Sequence, residues 1–247
     1  MTNRTRMTCA TDGNLYYDLT PTSGGWNMAC DEWLLQQAID ADKLSLRFYR
    51  WDQPTLSLGY FQEKTGGELP QQFTQLPKVR RLSGGGAILH DQELTYSFAI
   101  PATHPLAATP IKLYSIVHHA FIQALANQNI QTQMRGEDVK EINNRFLCFL
   151  RGDCHDLVTD SSKILGSAQR RRKGAILQHG SLILKQSPLV PEIPGLLELS
   201  GEMIDVDLLC NELISNLSEL SQNWSKADFQ NPATEQTIHD KEAAYYR

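Results

Sequence analysis

The chain has 247 residues, 41% of them hydrophobic and 21% charged, with a formal net charge of −5. That composition supports one globular domain with a full core, or one domain with a small appendage, and does not suggest disorder. The mild negative charge argues against non-specific binding to nucleic acid, which needs clustered cations to meet phosphates.

Five cysteines, Cys9, Cys30, Cys148, Cys154 and Cys210, are odd in number and scattered. They read as reduced thiols in a cytoplasmic protein, with no disulfide framework. No secretory leader and no apolar run long enough to span a bilayer is evident, so no membrane partner is expected.

In chain order, residues 1–13 are polar and read as a frayed start. Residues 27–39 read as a helix capped by Asn27, with Met28, Leu34, Leu35, Ala38 and Ile39 on one broad face. Residues 45–51 and 55–60 read as strands joined by a turn at Gln53-Pro54. Residues 63–78, rich in Gly, Pro and Gln, read as loop. Two short strands, 79–82 and 87–89, flank three glycines, and Leu94, Tyr96 and Phe98 alternate with smaller residues at a strand period. Residues 111–128 form the second expected helix, burying Leu113, Ile116, Val117, Ala120, Phe121, Ala124 and Leu125. Residues 157–158, 164–165 and 175–184 read as strands, the first two a hairpin turned by Asp160-Ser161-Ser162. Residues 205–222 have a helical pattern. Strands clustered as hairpins among helices give an α+β fold, with helices packed on a mainly antiparallel sheet.

The strongest local feature is Arg80-Arg81-Leu82-Ser83-Gly84-Gly85-Gly86-Ala87. Three glycines between strands cost conformational entropy unless the backbone needs them. They let a loop approach a ligand and aim N–H groups at an anion or carbonyl oxygen, while the arginines suit a phosphate or carboxylate. The plainer alternative is a flexible hairpin with solvated arginines; no Gly-Lys-Ser/Thr follows, so this is no Walker A loop. His90 either orients a substrate or satisfies its strand end.

Cys148 lies in Phe146-Leu147-Cys148-Phe149, and a lone cysteine in an apolar run is ordinarily core. As a nucleophile it would need its pKa lowered from the free value near ~8.5 by a neighbouring cation. Lys163 is the candidate, entering a strand of small residues (Gly166, Ser167, Ala168); the alternative is an edge-strand lysine that deters aggregation. Cys154-His155, with Cys148 and His179, raises a metal reading, but the spacing fits no standard zinc pattern and no metal is expected. Arg170-Arg171-Arg172-Lys173 reads as an exposed turn, solvated or docking an acidic carrier protein.

Taken in order, four blocks resemble the lipoate branch of the biotin/lipoate protein ligase superfamily. They are Asn27-Met28-Ala29; residues 80–91 (RRLSGGGAILHD); Glu93-Leu94-Thr95-Tyr96-Ser97; and Lys163-Ile164-Leu165-Gly166-Ser167-Ala168-Gln169 followed by Leu177-Gln178-His179-Gly180-Ser181. The resemblance covers residues 26–185 and implies that superfamily's catalytic-domain fold over residues 26–225, with an N-terminal extension (1–25) and a C-terminal tail (226–247). Within the branch, Cys148-Phe149 and the later Asp156-Leu157-Val158 look like the nucleophile segment of LipM-type octanoyltransferases. Only 63 residues follow Leu184, little room for the accessory domain of many bacterial ligases. Two departures stand out. Gly84-Gly85-Gly86 is closer to the ligase form than to Gly-Gly-Arg, and Arg151, Cys154 and His155 replace small and aromatic residues.

The resemblance implies an octanoyl group passed from acyl carrier protein to Cys148 as a thioester. It then passes to a lysine of a lipoyl acceptor, such as glycine-cleavage H protein or a dehydrogenase lipoyl domain. Lys163 would lower the cysteine pKa and hold the acyl carbonyl. Substrate would be bound by Arg81, Ser83, Gly84, Gly85, Gly86, Ala87, Ile88, Leu89, His90, Gly166, Ser167, Ala168, His179 and Gly180. No cofactor is implied. ATP and Mg would be needed only by the first alternative, a lipoate–protein ligase acting through an adenylate. The second alternative is a non-catalytic lipoate- or carrier-binding protein.

Overall fold

The computed structural model describes residues 12–62, 69–137 and 146–246. The expected frayed start and Cys9 lie outside them, as does part of the expected loop at 63–78. Among the described residues, eleven strands form two sheets. The large sheet contains β1 (Gly13–Thr22), β2 (Leu44–Trp51), β6 (Glu93–Ile100), β7 (Gln133–Met134), β8 (Leu157–Thr159), β9 (Ser162–Arg172), β10 (Ala175–Ile183) and β11 (Trp224–Ala227). Its order is β11-β1-β2-β6-β10-β9-β8-β7. Within this sheet β1 pairs in parallel with β11 and β2, and the other five pairings are antiparallel, so the α+β expectation holds. The small sheet is β4 (Lys78–Arg80), β3 (Thr55–Leu58) and β5 (Ile88–His90), in that order.

Strand alternation divides the large sheet's residues between two cores. Leu44, Leu46, Phe48, Leu94, Tyr96, Phe98 and Ile176 face one side, where α2 (Pro110–Ala126) and α4 (Val206–Asn216) cover them. Tyr49, Trp51, Ala99, Ala175 and Leu177 face the other, under α1 (Gly24–Asp40) and α5 (Pro232–Tyr245). On α2, Leu113, Val117, Phe121 and Leu125 are buried as the helical period demands, each contributing roughly 1.5–3 kcal/mol. A short helix, α3 (Leu196–Ser200), follows β10. Among the described residues, no helix is long and apolar enough to cross a membrane.

Several boundaries differ from the sequence reading. α1 starts at Gly24, because Ser23 caps it by accepting from the Trp26 N–H at 3.1 Å. Asn27 is therefore not the cap. It is buried inside the helix, where it accepts from Arg47 at 2.7 Å and donates to the Arg50 carbonyl at 3.0 Å. Arg170, Arg171 and Arg172 do not form the turn after β9; they end the strand itself. Lys173 and Gly174, both with positive φ (49° and 83°), make the turn in a conformation suited to a two-residue hairpin. The segments assigned to an extension and a tail also contribute structure: β1 lies inside the large sheet, and Tyr16 of β1 and Ile238 of α5 share a core with α1.

Candidate active site

The small sheet presents the glycine loop. The Tyr60 N–H donates to the Ser83 carbonyl at 2.8 Å, and the Arg81 N–H to the Leu58 carbonyl at 3.0 Å, drawing the loop against the end of β3. A Cβ on Gly59 would stand 2.1 Å from the Gly85 carbonyl oxygen, so only glycine permits this approach. Gly85 itself has φ +96°, the left-handed region. Arg81 turns inward and is 2% exposed; it donates to the Ser57, Gly84 and Gly86 carbonyls. Arg80 faces outward and donates to the Gly59 and Gln62 carbonyls at 2.8 and 2.6 Å. The two arginines thus brace the loop from opposite sides and are not merely solvated.

Cys148 opens a single helical turn, Cys148–Leu150, pinned to the strand that leaves the loop. The Cys148 N–H donates to the Ala87 carbonyl at 2.7 Å, and the Ala87 N–H to the Phe146 carbonyl at 3.1 Å. The thiol is half-buried, while Leu147 and Phe149 carry the apolar packing around it. Across from it, the β8–β9 hairpin turns on Asp160 and Ser161 (φ 47° and 69°) and brings Lys163 opposite Val158. The Lys163 ammonium lies 2.8 Å from Asp156 Oδ1, 3.5 Å from the Cys148 carbonyl oxygen and 5.3 Å from the Phe149 ring centre. Gly166 keeps room for that ammonium, since a Cβ there would stand 2.8 Å from Nζ.

These groups surround one cavity of about 360 Å³. Of the residues singled out from sequence, Cys148, Lys163, Arg81, Gly84, Gly85, Gly86, Ile88, His90, Gly166, Ser167, Ala168, His179 and Gly180 line it. Ser83, Ala87 and Leu89 do not. Ser83 is buried behind the wall, its hydroxyl against His179 Nε2. Ala87 contributes backbone to the cysteine turn, and Leu89 faces a separate small cleft beside Ile193. His179 donates through Nδ1 to Asp31 Oδ2 at 3.0 Å, leaving Nε2 to accept the Ser83 hydroxyl. His90 pairs with Glu93 at 2.6 Å and stacks on Trp51 at 3.9 Å, both its ring and the carboxylate being buried.

The four metal ligands suggested by the sequence do not converge. Asp153, Cys154 and His155 have donor atoms within 4.8 Å of one another, but Cys148 and His179 are not among them. Sequence reasoning also passed over Asp156, Asp31 and Gly59. Asp156 was legible only as part of Asp156-Leu157-Val158; its meeting with Lys163 depends on an irregular register between Leu157 and Val158. Asp31 lies on α1 and meets the site only through His179 of β10, distant in sequence, so no local spacing announces it.

A three-glycine loop, a half-buried thiol and an ion-paired lysine thus meet around one cavity. The profile of the lipoyl protein ligase A/B catalytic domain matches residues 23–236, and the chain belongs to that family. Octanoyltransferase LipM of Brevibacillus brevis is 39% identical over 173 residues, covering 66% of this chain and 62% of that one. LipM of Clostridioides difficile is 33% identical over 224 residues, covering 79% and 82%. The match to Brevibacillus brevis thus spans less than two-thirds of that relative. Among solved structures, protein Ta0514 of Thermoplasma acidophilum with bound lipoic acid superposes with TM-score 0.72 at 21% identity, covering 93% of this chain and 94% of that one. Lipoate-protein ligase A bound with ATP gives 0.71 at 21% identity, covering 94% and 95%. Both bear out the expected fold.

Proposed function

We propose that the protein is an octanoyltransferase that moves an octanoyl group from acyl carrier protein, through a thioester on Cys148, to a lysine of a lipoyl-acceptor protein. The observation that carries this reading is that Cys148 and Lys163 face one cavity beneath the glycine loop. The Cys148 thiolate attacks the carrier thioester carbonyl; the bond to the pantetheine sulfur breaks, and that sulfur leaves and takes up a proton. The acceptor amine then attacks the new thioester, loses a proton, and expels the Cys148 sulfur. Lys163, held by Asp156, offers an N–H to the acyl carbonyl oxygen, and the glycine loop, which lines the same cavity, is a further source of N–H donors. Thioester energy drives both steps, so no ATP or metal enters the scheme. The acceptor is of the kind represented by glycine-cleavage H protein or a dehydrogenase lipoyl domain.

Intact-mass measurement after incubation with octanoyl acyl carrier protein, without ATP, tests this. Wild type gains one octanoyl group and Cys148→Ser gains none. A wild type that stays unmodified yet acylates an acceptor once free octanoate, ATP and Mg are added is a ligase instead. One that does neither is a binding protein.

A further inference from the structure

Arg81 carries a charge that the fold buries without a carboxylate. Its three hydrogen bonds, at 3.0, 2.6 and 2.7 Å, all go to neutral carbonyls of Ser57, Gly84 and Gly86. Its Nε has no partner, and no ion pair among the described residues includes it. Buried charges are ordinarily paired, because an unpaired one bears its desolvation penalty alone. A Cβ placed on Gly85 would stand 2.9 Å from Arg81 Nη2 and 4.0 Å from Cys148 Sγ. Guanidinium and sulfur thus flank the same small gap, and both line the cavity.

We propose that Arg81 is the counter-ion of the Cys148 thiolate and contributes more to keeping that sulfur ionised than Lys163 does. This rests on reading Cys148 as the nucleophile. Net charge decides between the two cations. Lys163 has its charge offset by the Asp156 carboxylate at 2.8 Å, which Arg135 shares at 3.6 Å, and the field of opposed charges falls off faster than that of a single charge. Arg81 has no such partner and sits in a low-dielectric wall, where its field is least screened. Burial lowers its pKa to about 10, and the Cys148 sulfur is what chiefly opposes that fall. The remaining ionisable groups around the cavity are Arg151, half-buried and more screened, the carboxylate of Asp153, the rings of His90 and His179, and the hydroxyls of Tyr49 and Tyr114. When the acceptor amine displaces the acyl group, the C–S electron pair returns to Sγ, and Arg81 stabilises that leaving group as well.

The test is the pH profile of Cys148 alkylation by iodoacetamide, read by peptide mass in a Cys154→Ser background. Cys30 and Cys210 are buried, and burial pushes each thiol up to about 12, so they stay silent. Arg81→Met should move the inflection upward and slow the reaction at neutral pH by about tenfold or more, one pKa unit being a factor of ten. Arg81→Lys, which keeps charge but loses the fork, should recover most of that rate. The double substitution Asp156→Asn/Lys163→Met removes the lysine together with the carboxylate it shares with Arg135, and should shift the profile less than Arg81→Met. The proposal is overturned if Arg81→Met reacts like wild type, or if Arg81→Lys is shifted as far as Arg81→Met. Should Arg81→Met not fold, the double substitution decides: a profile moved to that of an ordinary exposed thiol overturns the proposal, and a profile still near wild type supports it. Octanoyl transfer is read separately. Profiles as expected, with no octanoyl adduct on wild type, would leave Arg81 as counter-ion and sink the transferase reading alone.

Discussion

Asp156 holds Lys163 at 2.8 Å, with both side chains 5% exposed, so the amine beside Cys148 is half of a buried ion pair. The same carboxylate anchors its own loop by accepting the Asp153 N–H at 2.7 Å. Burial pushes the Asp156 carboxyl upward, and Lys163 opposes that shift. Removing one partner strands the other charge. Asp156→Asn is therefore expected to cost about 3–5 kcal/mol, the range for breaking a buried pair from one side. Urea unfolding measures it. A loss below about 1 kcal/mol, the scale of exposed pairs, would mean that the pair is solvated in solution.

The three glycines of the loop are not equivalent. A Cβ on Gly84 would meet nothing closer than Phe61 at 3.8 Å, an ordinary contact. One on Gly85 would meet Arg81 at 2.9 Å on a backbone with φ +96°. Gly84→Ala should fold like wild type and stay within about 0.5 kcal/mol of it, the usual range for surface substitutions. Gly85→Ala should lose more than about 1 kcal/mol and displace Arg81, slowing octanoyl-adduct formation. Equal behaviour of the two variants in thermal unfolding and adduct assays would contradict this loop geometry.

Much of the fold was legible because periodicity alone dictates it. Leu44 to Phe48, Leu94 to Phe98 and the buried stripe of α2 declare their faces by spacing. Ser23 was missed as a cap because Gly24-Gly25 breaks the apolar pattern just where the helix begins. At the site, the glycine run and the Lys163 strand could be read as chemistry because their residue types are costly or out of place locally. Asp31 could not. It lies on α1, and its role appears only when β10 brings His179 to it across the sheet. Long-range pairing of this kind leaves no trace in local spacing.

His118 supplies a pH dependence. It projects from α2 to Ser167, its Nε2 2.7 Å from that hydroxyl, and it is fully buried. Burial lowers its pKa from 6.5 to about 4, the hydrogen bond to the His155 carbonyl working in the other direction. The unfolded chain therefore binds this proton more readily than the folded one. Stability from this group is complete above pH 6.5 and is lost as pH falls toward 4. The loss is on the order of 3 kcal/mol, from about 1.4 kcal/mol per pKa unit. Asp156, whose pKa is raised, works the opposite way as pH rises out of the acid range, so wild type alone would blur the effect. The difference in urea-derived stability between wild type and His118→Asn isolates it. That difference should shrink on acidification, and a difference constant with pH would rule out a neutral buried imidazole.

Ser83 touches no part of the cavity, yet it joins the glycine loop to the large sheet through His179 and Asp31. Asp31 is fixed in turn by the Tyr49 hydroxyl at 3.2 Å and lies 3.7 Å from the buried Arg47 guanidinium. Its position thus has little freedom, and that rigidity passes to the ring of His179. Ser83→Ala leaves His179 Nε2 without its donor, at a cost of about 1–3 kcal/mol for a buried unsatisfied group. Ser83→Thr keeps a hydroxyl and should lose less, unless its added methyl finds no room. Because Ser83 is a positioning residue, Ser83→Ala should slow octanoyl-adduct formation while leaving the pH profile of Cys148 alkylation in place. A profile that shifts with Ser83→Ala would mean that the loop, and Arg81 with it, had moved, and that the hydroxyl sets charge placement at the sulfur and not merely the seat of the substrate.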